Sequence, residues 1–206
     1  MIAILDYGLG NLGSIANMLK VVGEKSKITS NKDEISAADG LILPGVGAFD
    51  AGMQKLNETG LAQVVKEFAA TGRPVLGICL GMQLLGKKSE EGTLPGLDLI
   101  PFECARFSFA SDSELKIPHM GWDIVDFKQH HPLLDNLQGT QRYYFVHSFH
   151  AVCDHAENVL MTCDYGYEFA ASVVNGNVIG VQFHPEKSHD FGLALFRNFV
   201  AMCRRD

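Results

Sequence analysis

The chain has 206 residues, 47% of them hydrophobic and 20% charged, with a formal charge of -7. This balance fits one globular domain over 1–206 and excludes a disordered chain, while the acidic excess argues against a nucleic-acid or anionic-membrane surface. Five scattered cysteines without a Cys-x-x-Cys pair suggest neither a disulfide framework nor a metal site, and they fit a reducing cytoplasm. Met1–Asp6 lacks a basic leader and is too short an apolar run for a signal or membrane span, so none is expected.

Ile2 to Leu5 reads as a buried strand, followed by a turn containing Gly8, Gly10 and Gly13 and a helix from about Ser14 to Val22. The Gly-x-Gly-x-x-Gly spacing is that of a dinucleotide-binding turn. The next strand, Lys25 to Thr29, does not end on the acidic residue that such a site uses for the ribose, which favours an ordinary strand-to-helix turn. A polar helix near Lys32 to Ala38 precedes the apolar strand Gly40 to Leu43, which runs into Pro44-Gly-Val-Gly47. Glycines at a strand's carboxyl end leave bare N–H groups where α/β proteins bind ligands. Val46 N–H is therefore one candidate oxyanion donor. Helices are expected over Asp50 to Leu56 and Leu61 to Ala70, where apolar residues recur at helical spacing.

Pro74 to Gly86 is the most informative stretch. Val75, Leu76 and Ile78 suit a strand buried on both faces, and Leu80 to Leu85 suit a helix, so Cys79 falls at a strand-to-helix corner bracketed by Gly77 and Gly81. Such a corner presents a side chain above a helix N-terminus, whose N–H groups favour an anion, and makes Leu80 N–H the second oxyanion donor. The simpler alternative is a small buried thiol.

After Gly86 the pattern changes. Leu99 to Phe102, Ala105 to Phe109, Trp122 to Phe127, Arg142 to Val152 and Val159 to Cys163 read as strands in succession, which implies antiparallel pairing. Phe169 to Val174 and Val178 to Phe183 flank the hairpin signal Asn175-Gly176, and Asp190 to Cys203 forms a last amphipathic helix. The expected fold is α/β: a mostly parallel central sheet flanked by helices, with an antiparallel extension in the second half.

A thiol nucleophile needs a base and a group to orient that base. His184-Pro-Glu186 follows a strand, and on extended chain residues two apart point the same way, so Glu186 can hold one imidazole nitrogen while the other faces Cys79. A capped loop histidine beside a solvated glutamate is the plainer reading. His147 and His150, three apart on one strand, face opposite sides and do not form a metal pair, and His130-His131 reads as a surface loop.

Gly77-Ile-Cys79-Leu-Gly81-Met-Gln83 and His184-Pro-Glu186 together resemble the class I, triad-type glutamine amidotransferases. Asp6 to Ser14, Pro44 to Phe49, Pro118 to Trp122 and Tyr144 to Ser148 are similar to the glutaminase subunits of imidazole glycerol phosphate synthases, over essentially the whole chain. The resemblance implies hydrolysis of glutamine to glutamate and ammonia, without cofactor or metal, and delivery of ammonia to a cyclase subunit in a heterodimer. It implies Cys79 as nucleophile, His184 as base and Glu186 as its orienter. It also implies Gly47, Gln83, His147, Ser148 and Phe149 along the glutamine site, and Met120, Trp122 and Lys187 near the partner. Phe149 stands where tyrosine is expected, Asp123 where asparagine is, and Phe102 breaks a glycine pattern. A glutaminase feeding anthranilate or aminodeoxychorismate synthase, a nucleotide-binding module and a non-catalytic partner are the other readings.

Overall fold

The computed structural model describes residues 1–204. β1 (Ile2–Leu5), β3 (Gly40–Gly45) and β4 (Val75–Cys79) are buried along their whole length, because both faces of each strand are apolar. Ala3, Leu5, Leu41 and Leu43 enter one core, and Ile2, Ile4, Ile42, Leu76 and Ile78 enter the other. With β2 (Ser26–Thr29) and β12 (Val178–Val181) they make a parallel run ordered β2-β1-β3-β4-β12.

Helices cover both faces of this run. α2 (Lys32–Ser36), α3 (Phe49–Glu58) and α4 (Leu61–Ala70) pack into the first core through Ile35, Met53, Leu56, Leu61, Val65 and Phe68. α1 (Leu12–Val21) and α6 (His189–Cys203) pack into the second. In α6, Leu195, Phe196 and Phe199 are fully buried, each side chain contributing about 1.5–3 kcal/mol by transfer from water. Asn31 caps α2 by accepting the N–H groups of Asp33 and Glu34.

Beyond β12 the ladders turn antiparallel through β11 (Glu168–Asn175), β10 (Val159–Asp164), β7 (His119–Phe127) and β8 (Gln141–His147). A branch of β5 (Lys88–Ser89), β6 (Phe102–Arg106) and β9 (Phe149–Cys153) joins at β11. The expected parallel core with an antiparallel extension is what these twelve strands form among the described residues. No helix of the described residues is long and apolar enough to cross a membrane.

Several local expectations need correction. The run Arg142 to Val152 is two strands, broken at Ser148: β8 pairs with β7, whereas β9 pairs with β6 and β11. Leu99 to Phe109 yields the single strand β6, since Leu99 and Ile100 are held by N–H bonds to Leu85 O. In the hairpin Asn175 pairs with Val178, so Gly176 and Asn177 are the turn, and Gly176 takes the positive φ of +57°.

Candidate active site

β4 ends on Cys79, whose backbone turns to φ +55° and ψ -113°, a conformation that side chains avoid and that costs about 1–3 kcal/mol. α5 (Leu80–Leu84) starts on the next residue. The flanking glycines serve packing rather than a positive φ. A Cβ on Gly81 would stand 1.8 Å from the Leu43 carbonyl oxygen, and one on Gly77 would stand 2.7 Å from Gly81 O. The glycines therefore let α5 settle onto β3 and β4, which brings Cys79 beside Gly45, its partner in register. Tyr7, from the N-terminal glycine-rich turn, donates to Pro44 O at 2.7 Å, and a Cβ on Gly10 would come within 2.9 Å of Pro44 Cβ. That turn backs the Pro44–Gly47 loop directly, which leaves its glycine pattern a structural purpose without any nucleotide.

His184 arrives from the neighbouring strand. β12 runs parallel to β4 with Val181 opposite Ile78, so the chain just past β12 carries His184 over the carboxyl end of β4, where Cys79 lies. Its backbone is fixed on both sides: His184 N–H donates to Tyr144 O, and Ser188 Oγ donates to His184 O. Glu186 Oε1 lies 2.8 Å from His184 Nδ1, with both side chains almost wholly buried. Pro185–Lys187 is a 3-10 turn, so Glu186 reaches back around a turn rather than along extended chain as the spacing suggested. His184 Nε2 is buried and makes no well-aligned hydrogen bond, while Cys79 lies within its electrostatic reach.

Burial opposes charge on His184, but interactions with Cys79 and Glu186 outweigh it and raise its pKa to about 9. The proton that Cys79 must lose thus has a favourable place on the imidazole. Since the folded pKa exceeds the ordinary 6.5, His184 adds stability that is complete below that value and is lost as pH rises through about 9. Glu186→Gln is expected to lower the His184 pKa toward the ordinary range and to move this loss to lower pH. Imidazole NMR titration measures it, and an unchanged pKa would show that the carboxylate does not set it.

A cavity of about 330 Å³ opens over the pair. Val46, Gly47, Leu80, Gln83, His147, Ser148 and Phe149 all line it with Cys79 and His184, so every expected oxyanion and substrate residue is brought together. His147 is the least chargeable of them: burial, partly offset by its bond to Phe149 O, lowers its pKa to about 3. Two contributors escaped sequence reading. Glu91 is the carboxylate of the lining, and its Oε2 accepts Phe49 N–H at 2.8 Å. Gln182 is fully buried beneath the thiol, with Nε2 3.9 Å from Cys79 Sγ, and accepts Gln83 Nε2 at 3.0 Å. Gln83 also donates to Phe149 O at 3.2 Å. A glutamine inside an apolar strand and an acid in a polar loop carry no periodic signal.

Burial raises the thiol pKa at Cys104, Cys153, Cys163 and Cys203, to about 12 at Cys153 and Cys203. Away from the cavity, Met120, Trp122 and Ile124 occupy alternate positions of β7 and are 61%, 42% and 51% exposed. Trp122 stacks on His189, and Lys187 Nζ lies 5.7 Å from the centre of the Tyr144 ring. Contiguous exposed apolar surface of this kind marks a candidate interaction surface.

Residues 3–203 match the family model "Glutamine amidotransferase class-I". The chain is 49% identical to imidazole glycerol phosphate synthase subunit HisH 2 of Pseudomonas aeruginosa, over 98% of this chain and 100% of that protein. It is 53% identical to subunit HisH of Methanosarcina acetivorans, over 98% of each chain. Among solved structures it is similar in fold to a glutamine amidotransferase (TM-score 0.72, 21% identity, 98% of each chain). It is likewise similar to PurLQS of Thermotoga maritima (TM-score 0.73, 19% identity, 97% of each chain).

Proposed function

The chain belongs to the class I glutamine amidotransferase family, and from that premise we propose that it is the glutaminase subunit of an imidazole glycerol phosphate synthase. It acts as one domain in the cytoplasm and feeds ammonia from glutamine to a cyclase subunit in histidine biosynthesis. The observation that carries the catalytic reading is His184, with one ring nitrogen held by buried Glu186 and the other buried and unbonded in the cavity that contains Cys79.

Cys79 Sγ attacks the side-chain amide carbon of glutamine, and its proton passes to His184 Nε2. The tetrahedral oxyanion is met by the N–H groups of Val46 and Leu80, each such donor being worth about 10²–10³ in rate. Collapse breaks the C–N bond. The leaving nitrogen takes the proton from His184 and departs as ammonia, leaving a γ-glutamyl thioester on Cys79. A water that gives its proton to His184 then hydrolyses the thioester, and the thiolate regains that proton as glutamate leaves. Glu186 keeps the imidazole oriented throughout. Gly47, Ser148, Phe149 and neutral His147 shape the glutamine pocket, Gln83 braces Phe149, and Glu91 offers a carboxylate to the substrate's ammonium group.

Met120, Trp122 and Lys187 form the docking side, which is supported by the apolar stripe on β7 and by the proximity of Lys187 to Glu186 in one turn. Hydrolysis without an acceptor for ammonia wastes glutamine, so turnover is expected to rise when the cyclase is added. Glutamate release by the chain alone and by the mixed subunits measures this. Equal rates, or stimulation only by a different synthase, would overturn the assignment.

A further inference from the structure

We propose that His119, Asp123 and Cys163 form a binding site for one divalent cation of the zinc class, behind the wall of the glutamine pocket. His119 and Asp123 lie four apart on the same face of β7, and Cys163 lies on β10, which pairs with β7 through Met161 and Thr162. His119 Nε2 is 3.3 Å from Asp123 Oδ2. One donor atom from each of the three residues lies within 4.8 Å of the other two. Tetrahedral zinc, with bonds of about 2.0 Å to nitrogen and oxygen and 2.3 Å to sulfur, sets donor separations of about 3.3–3.6 Å. The histidine–aspartate edge already has that span, and the sulfur closes by no more than about 1.3 Å to complete a face of the tetrahedron.

The hydrogen-bond directions point the same way. Phe149 O only accepts, so His147 Nδ1, 2.8 Å away, carries the hydrogen and His147 Nε2 is an acceptor. The 3.1 Å contact between His147 Nε2 and His119 Nδ1 then requires the hydrogen on His119 Nδ1. His119 Nε2 is then an acceptor 3.3 Å from the Asp123 carboxylate, so both are donors to a cation. Cys163 Sγ, the third donor, makes only a long 3.8 Å hydrogen bond to Asp164 O, which the sulfur gives up when it binds a metal. A metal ion uses all three donors and releases the Cys163 proton to solvent as the sulfur–metal bond forms.

Imidazole, carboxylate and thiolate together suit zinc and its cobalt substitute rather than calcium or magnesium. His147 and Phe149 O supply the outer partners that orient a ligating histidine. Asp123, 35% exposed, leaves the fourth position open to water. Spacing along the chain hides this group, because its sulfur comes from a strand some forty residues away that only the sheet brings alongside.

Titrating the chelator-treated chain with cobalt(II) tests the site. The expected result is one equivalent bound, with tetrahedral visible bands and a thiolate-to-cobalt band, and displacement by zinc. Cys163→Ser is expected to abolish the thiolate band, and Asp123→Asn to weaken binding at least about tenfold, since even outer-shell losses cost about 10–100-fold. Cys79→Ser is expected to keep the band. Should Cys163→Ser fail to fold, Asp123→Asn at its partly exposed position carries the test. Absence of cobalt binding, or a thiolate band that survives Cys163→Ser and disappears with Cys79→Ser, would overturn the proposal.

Discussion

Replacing Cys79 by serine is expected to lower glutamine hydrolysis by a factor on the order of 10⁴ or more, the scale seen when a nucleophile is taken from a triad. The hydroxyl keeps the size of the side chain but is a far weaker acid and nucleophile than the thiol, and replacing Cys79 also removes one of the interactions that raise the His184 pKa. Stability should change little, because the substituted side chain is smaller but similar and the backbone keeps the same strained φ of +55°. Glutamate release in the presence of the cyclase measures the loss, and thermal melting checks the fold. Retained turnover would remove Cys79 from the chemistry.

The second large effect is structural. Gly81→Ala puts a methyl group 1.8 Å from Leu43 O and 2.8 Å from Leu43 C, atoms of a central strand buried on both faces. Relief requires α5 to lift from β3, which uncovers Leu80, Met82 and Leu84 in the first core and tilts the corner that presents Cys79. The expected cost is at least about 3 kcal/mol, the range of severe core overpacking, against a total stability of about 5–15 kcal/mol. Urea unfolding measures it. A midpoint equal to that of the parent chain would mean that α5 does not sit this close to the sheet.

The corner at Cys79 was legible because a two-face apolar strand, two glycines and a short helical run coincide within thirteen residues. His184 and Glu186 were legible as a pair, although the reason for their contact is a turn and not an extended chain. What stayed hidden depends on contacts between strands. The break at Ser148 sends β8 and β9 to different neighbours, and with it His147 and His150 both pack around Phe107, at ring separations of 5.2 and 4.7 Å, instead of facing apart. Gln182 reads as one polar residue in an apolar strand until β12 lies beside β4. Periodicity reports which face a residue takes within its own element, and the partner across the sheet is set by register.

The most direct test is peptide mapping after exposure of the subunit, with the cyclase present, to an electrophilic glutamine analogue that traps the attacking sulfur. One adduct is expected, on Cys79, blocked by excess glutamine and absent in Cys79→Ser. Labelling of Cys104, Cys153, Cys163 or Cys203 in its place, or no glutamine-protected adduct, would contradict it.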